Sequence, residues 1–309
     1  MAFIATRKSF GQALLEIGGQ DERIVVLDAD LSKSTMSKMF AEKYPERFFE
    51  MGIQESNMIG VGSGLALAGK KPFICSFACF VTGRYETIRI SVGYSEAPVR
   101  IVGTHVGIGI GEDGNSQMGL EDVGLMRVLP HMHVLQPADD IETRHAVKWM
   151  AENDVPSYIR LTRQNVKDVN PPDYRYEFGK AVELVPGSDI TIMATGGTVF
   201  HAADAVELLR KDGIHAGLVN IHTIKPIDTV AVLKYAETTG LIVTVEDHNI
   251  IGGLGSTVAE VLAEAGTGRL VRHGIMDTFG ESGSSADLYR KYRLDAKGIA
   301  SVVREALIK

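Results

Sequence analysis

One glycine-rich stretch gathers a histidine, two acids and an amide: THVGIGIGEDGNSQMG carries His105, Glu112, Asp113 and Gln117. A histidine near carboxylates can move protons or bind hydroxyl groups, and glycines let backbone approach a ligand closely. Residues 109 to 114, GIGEDG, also fit the G-x-G-x-x-G spacing of dinucleotide-binding turns. That reading fails on three counts. No helical pattern opens at Gly114, where GNSQMG is turn chemistry; about twenty residues further on stands Val134, which is not acidic; and Glu112 with Asp113 would repel a pyrophosphate. What remains is either a surface turn or a polar site at the C-terminal end of a strand, where open α/β sheets place ligands.

Other side chains are chemically capable but ordinary when taken singly. Glu55, in IQESNM, opens a helical pattern, and an acid in a first helical turn is favoured by the helix dipole. Phe77 and Phe80 stand three apart in SFACF, as core residues often do. Cys75 and Cys79 flank Phe77 at a spacing that matches neither C-x-x-C nor a zinc ligand set, so they read as small core residues of a reduced protein. Arg7, Ser34 and Arg163 lie in separate blocks, and Asp30 in DADL reads as a turn residue after a strand. HNIIGGLGS, residues 248 to 256, could present a helix N-terminus near Leu254 to a phosphate, but a structural role is the reading adopted.

The elements that must position these residues follow from size and periodicity. At 309 residues the chain exceeds what one core usually serves, which predicts two domains. A net charge of -7 gives no field to attract nucleic acid or an anionic membrane surface. No apolar run is long enough for a membrane span, and the first residues turn polar too soon for a signal peptide, so a cytoplasmic enzyme or subunit is expected. Short apolar runs alternate with amphipathic stretches throughout, the rhythm of a parallel sheet flanked by helices. The fold class is therefore α/β, two domains, each with a mostly parallel sheet flanked by helices. RIVVLDAD, PFICSF, VRIVGT, MHVLQP and PSYIRLT are the strands expected in the first half, with helices near 5–18, 55–69, 80–92 and 139–151. The proline-bearing stretch 169–188 reads as a surface linker between domains spanning 1–168 and 189–309. In the second half the strands are ITIMAT, HAGLVNI, LIVTVED and RLVRHGI, with helices near 197–211, 227–237 and 254–264 and at the C-terminus.

Blocks in order along the chain make a resemblance visible. ATRKSFGQALLEI, LDADLSKS, MGIQESNMIGVGSGLALAG, PFICSFACF, THVGIGIGEDGNSQMGLED, MHVLQPADDIETRHAV and IRLTRQN resemble the pyrimidine-binding domain of the transketolase family. IMATGGTV and VEDHNIIGGLGSTVAE resemble its C-terminal domain. The G-D-G with a distant Asn that holds diphosphate and metal in that family is missing, so the chain resembles the C-terminal subunit of a split transketolase. The resemblance implies thiamine diphosphate as cofactor, Mg²⁺ held mainly by an N-terminal subunit carrying the diphosphate-binding domain, and an α2β2 assembly. It implies transfer of a two-carbon ketol unit between sugar phosphates, as in the pentose phosphate pathway.

Roles follow from the same resemblance. Glu55 would hydrogen-bond the aminopyrimidine and activate the cofactor; Phe77 and Phe80 would face that ring, and Asp30 would lie near the thiamine at a subunit interface. His105 would bind the donor C1 hydroxyl and C2 oxygen. Asp113 would bind the C3 hydroxyl side and the acceptor α-hydroxyl. Arg7, Ser34 and Arg163 would grip the phosphate, for which an arginine fork is well shaped. Gln117 stands where many members have His and cannot titrate near neutral pH, so proton transfer there passes to water, cofactor or His105. Gly83 stands where many relatives carry an aromatic or basic side chain, with Arg84 as a substitute. The resemblance implies that the family's active site does not require the second domain. Rival readings are a 1-deoxyxylulose-5-phosphate synthase-like chain, a 2-oxoacid dehydrogenase β-like subunit, and a non-enzymatic assembly module; THVGIGIGEDG and the Arg7, Ser34, Arg163 set favour transketolase.

Overall fold

The structure, a computed structural model, describes residues 3–308. Six strands of the first sheet run parallel, in the spatial order His133–Leu135, Ser157–Arg160, Arg100–Thr104, Lys71–Phe77, Ile24–Asp28, Phe48–Glu50. The central strands of this sheet read as near-continuous apolar runs because both sheet faces are covered there, whereas the outer Phe48–Glu50 is largely exposed. In Ile24–Asp28, Ile24 and Val26 pack with Phe10, Leu14 and Phe40 on one face, while Val25 and Leu27 pack with Met58 and Ile59 on the other. The first face is covered by the helices Thr6–Gly18, Lys38–Lys43 and Asp140–Glu152, the second mainly by Glu55–Leu67.

A second sheet has the order Arg269–Ile275, Leu241–Asn249, Ile190–Ala194, Ala216–Asn220, Val182–Val185, with only the last strand antiparallel. Helices Val199–Lys211 and Ala296–Ile308 cover one face, and Thr229–Thr239 with Leu254–Ala265 the other. No helix among the described residues is long and apolar enough to cross a membrane.

Several expectations need correction. The pattern over 80–92 is not one helix: Ala78–Thr82 ends at Gly83, Tyr85–Ile88 follows, and a π-helical turn covers Arg89–Tyr94. The stretch 169–188 is more than a surface linker. Its Val182–Val185 is an edge strand of the second sheet, Phe178 stacks on Trp149 at 3.7 Å, and the Tyr174 hydroxyl donates to the buried Glu142 carboxylate at 2.9 Å. The two halves also share a strand, since Thr223–Lys225 pairs antiparallel with His133–Leu135 and extends the first sheet to seven strands.

Candidate active site

Most of the singled-out residues sit near the C-terminal ends of the parallel strands of the first sheet, the end at which open α/β sheets place ligands. After Ile24–Asp28 the chain turns sharply. The buried Asp28 carboxylate organises that turn, accepting from Leu31 N at 2.7 Å, Thr35 Oγ1 at 2.6 Å and Ser37 Oγ at 2.8 Å. Burial pushes Asp28 up to about 6 against these stabilising bonds. Asp30 is exposed in the same turn with φ 61°, and its N–H donates to Glu50 Oε1 at 2.7 Å. The turn also carries Ser34, whose carbonyl accepts from Arg7 Nη1 at 2.5 Å. Arg7 itself is positioned by the first turn of its helix, which is pinned to the end of strand Ser157–Arg160. Thr6 Oγ1 receives the Thr162 N–H at 2.8 Å, and the two threonine hydroxyls lie 3.1 Å apart.

His105 directly follows strand Arg100–Thr104, in the left-handed region at φ 58° and almost fully buried. Its ring stacks on Phe77 with centroids 3.7 Å apart, and Phe77 stacks on Phe80 at 5.5 Å. Phe77 is thus covered by its neighbours, whereas Phe80 is only partly buried and keeps free ring surface. His105 Nε2 lies 3.3 Å from Arg7 Nη1, and Nδ1 lies 2.9 Å from Thr104 Oγ1. Because a guanidinium only donates, Nε2 must present its lone pair, which puts the ring proton on Nδ1, donating to Thr104. Burial, reinforced by Arg7 and Arg163, pushes His105 down to about 3. The imidazole is therefore neutral at physiological pH, with an acceptor nitrogen facing the arginine side.

Arg163 follows strand Ser157–Arg160 and donates from Nη1 to Ile110 O at 2.8 Å, with Glu112 Oε2 at 3.9 Å. Arg7 is pulled down by burial and by the neighbouring Arg163 charge, and its Nε is buried with no hydrogen-bond partner. Two guanidiniums near one another, one with an unused buried donor, suit an anion better than they suit each other. Arg7, Ser34, His105 and Arg163 are thus brought together, with Phe77 and Phe80 against His105. Glu55 stands one element away: the first residue of its helix, buried, its Oε1 3.4 Å from Ser76 Oγ on strand Lys71–Phe77. Asp113 is exposed and Gln117 partly exposed on the loop after His105, and the hydrogen bonds that hold that loop use neither side chain. Gly83 and Arg84 are both exposed where the short helix ends.

The loop is more ordered than its composition suggested. It winds as a 3₁₀ segment over Gly107–Asp113, kinked at Gly111, and a short turn over Asn115–Gln117. Its glycines make room for protein, not for a ligand: a Cβ on Gly107 would lie 2.0 Å from Asp247 Oδ2, and one on Gly109 2.0 Å from Gln164 Oε1. Ile108 and Ile110 are fully buried in one cluster with Ile192, Ala194 and Leu288. The second domain therefore backs this loop directly.

Residues missed in the sequence complete the scaffold. Arg160 and Asp122, both buried, pair at 2.8 Å through Nε and Oδ2, with the Tyr158 hydroxyl donating to the same oxygen at 2.5 Å. Arg160 Nη2 donates to Gly119 O at 2.8 Å and Asp247 O at 2.7 Å, tying the end of the loop to the second domain. At HNIIGGLGS the helix N-terminus is already filled. Glu246 accepts from Leu254 N at 2.7 Å and Gly255 N at 2.8 Å, a carboxylate where a phosphate would sit, which supports the structural reading. Cys75 is buried in the core, and Cys79 is partly buried with its thiol pushed up to about 12 by burial. Among the described residues no group of three or more His, Cys, Asp or Glu side chains could hold a metal ion.

Comparison with known proteins identifies the two domains and the fold. Residues 2–169 match the model of the transketolase pyrimidine-binding domain and residues 179–299 that of the transketolase C-terminal domain. The chain is 45% identical to a putative transketolase C-terminal section of Methanocaldococcus jannaschii, over 98% of this chain and 96% of that one. It is 39% identical to one of the subunits of an apulose-4-phosphate transketolase of Phocaeicola vulgatus, over 99% and 98% of the two chains. A solved split-gene transketolase, described as an inactive β4 tetramer, superposes with TM-score 0.92 at 46% identity, covering 99% of both chains. The chain belongs to the transketolase family.

Proposed function

We propose that this chain is the C-terminal subunit of a thiamine-diphosphate-dependent transketolase, transferring a two-carbon ketol unit from a ketose phosphate to an aldose phosphate. The observation that carries the reading is the convergence of Arg7, Ser34, Arg163 and a neutral His105 beside the Phe77–Phe80 stack. The residues suit the aminopyrimidine half of the cofactor. Glu55 is a buried acid whose side-chain bond to Ser76 is a long one, leaving its carboxyl free to meet a ring nitrogen. Phe80 offers an open face backed by Phe77, which suits stacking. Asp30 lies exposed at the turn that carries Ser34. When bound, the cofactor supplies an electron sink for the two-carbon fragment.

This chain's own residues orient the sugar. On binding, the donor C1 hydroxyl replaces Arg7 Nη1 as the partner of the His105 Nε2 lone pair, and the released Arg7 Nη1 favours an oxygen that gains negative charge. Asp113 takes the hydroxyls nearer the cleaved bond, and Gln117 supplies amide hydrogen bonds without a titrating proton. Arg7, Ser34 and Arg163 hold the anionic end of the sugar. Diphosphate and Mg²⁺ are assigned to a separate N-terminal subunit in an α2β2 assembly. That assignment is supported by the relative described as an inactive tetramer of β chains. The Phocaeicola relative, named for apulose 4-phosphate, supports an anionic ketose as the substrate class.

The test mixes this chain with its N-terminal partner, Mg²⁺ and thiamine diphosphate and follows ketol transfer between sugar phosphates. Transfer by the mixture and none by either chain alone is expected. Full transfer by this chain alone overturns the subunit reading, and none by the mixture with any sugar phosphate overturns the activity.

A further inference from the structure

The loop that carries His105 and Asp113 and the strand end that carries Arg163 are joined through the second domain by one chain of hydrogen bonds. Asp247 Oδ1 accepts the Ile108 N–H at 2.9 Å, inside the loop. Its other oxygen, Oδ2, accepts the Tyr289 hydroxyl proton at 2.5 Å. The Tyr289 oxygen in turn accepts from Gln164 Nε2 at 2.8 Å, and Gln164 is the neighbour of Arg163. Every member is buried or partly buried, and the close approaches at Gly107 and Gly109 leave Asp247 and Gln164 no room to shift toward the loop. A second clasp lies further along, where Gly280 N donates to Asn115 Oδ1 at 2.7 Å.

We infer that Tyr289, through Asp247 on one side and Gln164 on the other, is a positioning residue that fixes the span between the hydroxyl-binding loop and the arginine that grips the anionic end of the sugar. The second domain thereby works as a gauge for substrate length. A hydroxyl is required for this because the relay needs one group that donates to a carboxylate and accepts from an amide, which a phenylalanine ring cannot do. Without it, Gln164 loses its acceptor and Arg163 its lateral support. Ile108 keeps its bond to a carboxylate that is less well oriented. Small displacements of binding groups remote from the chemistry are costly to a site that must hold both ends of a substrate at once.

The inference rests on the ketol-transfer reading only for its substrate half, so the experiment has two readouts. In the first, Tyr289→Phe and the control Tyr292→Phe are compared with the unaltered chain by amide hydrogen exchange on the full chain. Peptides within 105–117 and around 163–165 should exchange about tenfold faster in Tyr289→Phe alone, with the central strands of the first sheet unchanged. In the second, each chain is assembled with the N-terminal subunit and cofactor, and steady-state kinetics are taken with a phosphorylated ketose and with the same ketose lacking its phosphate. Tyr289→Phe should raise KM for the phosphorylated ketose about tenfold and leave kcat within twofold. KM for the unphosphorylated one should change less than twofold. Unchanged exchange in the loop overturns the inference whatever the activity, and so does an equal KM change for both ketoses. If the unaltered assembly shows no ketol transfer while loop exchange still responds to Tyr289→Phe, the activity reading fails and the gauge stands as a loop-positioning device.

Discussion

Asp122→Asn tests how the two halves are held together. The substitution keeps the shape of the side chain and removes its charge, leaving the buried Arg160 only the Asp247 carboxylate, with which it forms no direct ion pair, as counter-charge. Arg160 has no spare partner to turn to, since Nε points at Asp122, Nη2 is spent on Gly119 O and Asp247 O, and Nη1 is already buried without an acceptor. Breaking one side of a buried ion pair costs about 3–5 kcal/mol. Counted by bonds, the links to Arg160 and to the Tyr158 hydroxyl each fall from roughly 1.5–3 to roughly 0.5–1.5 kcal/mol, a loss of about 2–3 kcal/mol in all that reaches the lower end of that range. With a loss of about 4 kcal/mol, and roughly 2–4 °C per kcal/mol for a domain of 150–250 residues, the melting point should fall by about 8–16 °C. The assay is chemical denaturation of the purified chain, followed by a cycle of Asp122→Leu, Arg160→Met and the double Asp122→Leu, Arg160→Met variant. The double variant should lose less than the summed single changes, with a coupling of about 2 kcal/mol or more. A loss below about 1 kcal/mol for Asp122→Asn, or strictly additive single changes, would refute the claim that this pair carries the seam.

Two further outcomes are expected. His105 should stay neutral as the solution is acidified. Burial first, then Arg7 and Arg163, hold its folded value at about 3 against 6.5. The folded chain therefore binds fewer protons than the unfolded one between about pH 3 and 6.5. The stabilisation is fully present above 6.5 and is lost as pH falls through that window. Ring-carbon NMR of a histidine-labelled chain checks this, and a His105 midpoint near 6.5 would contradict the packing described. Glu55→Ala should slow C2 proton exchange of thiamine diphosphate bound to the assembled enzyme by two orders of magnitude or more, the scale of lost acid–base assistance; near-normal exchange removes Glu55 from its role.

Strands buried on both faces were legible in the sequence because they must be continuously apolar; IVVL, FIC and ITIM are of this kind. Phe48–Glu50 and Thr223–Lys225 were not, being three residues long and dependent on partners elsewhere in the chain. A signal did exist at 174–178, where the alternation in YRYEF marks aromatics turned to one side: Tyr174 reaches Glu142, Tyr176 lies 4.6 Å from His222, and Phe178 stacks on Trp149. At the site, the residue types of Arg7, His105 and Arg163 were visible but their meeting was not. They lie on separate strands' ends, and only likeness to a family joined them beforehand. Asp122 with Arg160 and Asp247 with Tyr289 were invisible for the same reason, since a carboxylate carries no local mark of a partner 38 or 42 residues away. The glycines of GIGEDG misled in one respect. They signalled close approach correctly, but what approaches is the chain's own Gln164, at Gly109, and Ser282, at Gly114.

The strand Thr223–Lys225, lent by the second half to the sheet of the first, bears on any attempt to dissect the molecule. A piece ending in the 169–188 stretch would leave His133–Leu135 as a bare outer strand, with Gln136 N–H deprived of the His222 carbonyl it meets at 2.8 Å and Ile108 and Ile110 stripped of their cover. Unpaired strand borders invite other chains to add themselves. Such a fragment should precipitate or form irregular aggregates where the intact chain forms a defined assembly, and a protease nick at 169–188 should leave the two pieces together until denaturant is added. Swapping the second half between relatives would then require matching its lent strand to His133–Leu135 and its apolar cover to Ile108 and Ile110, because the two halves meet at both places.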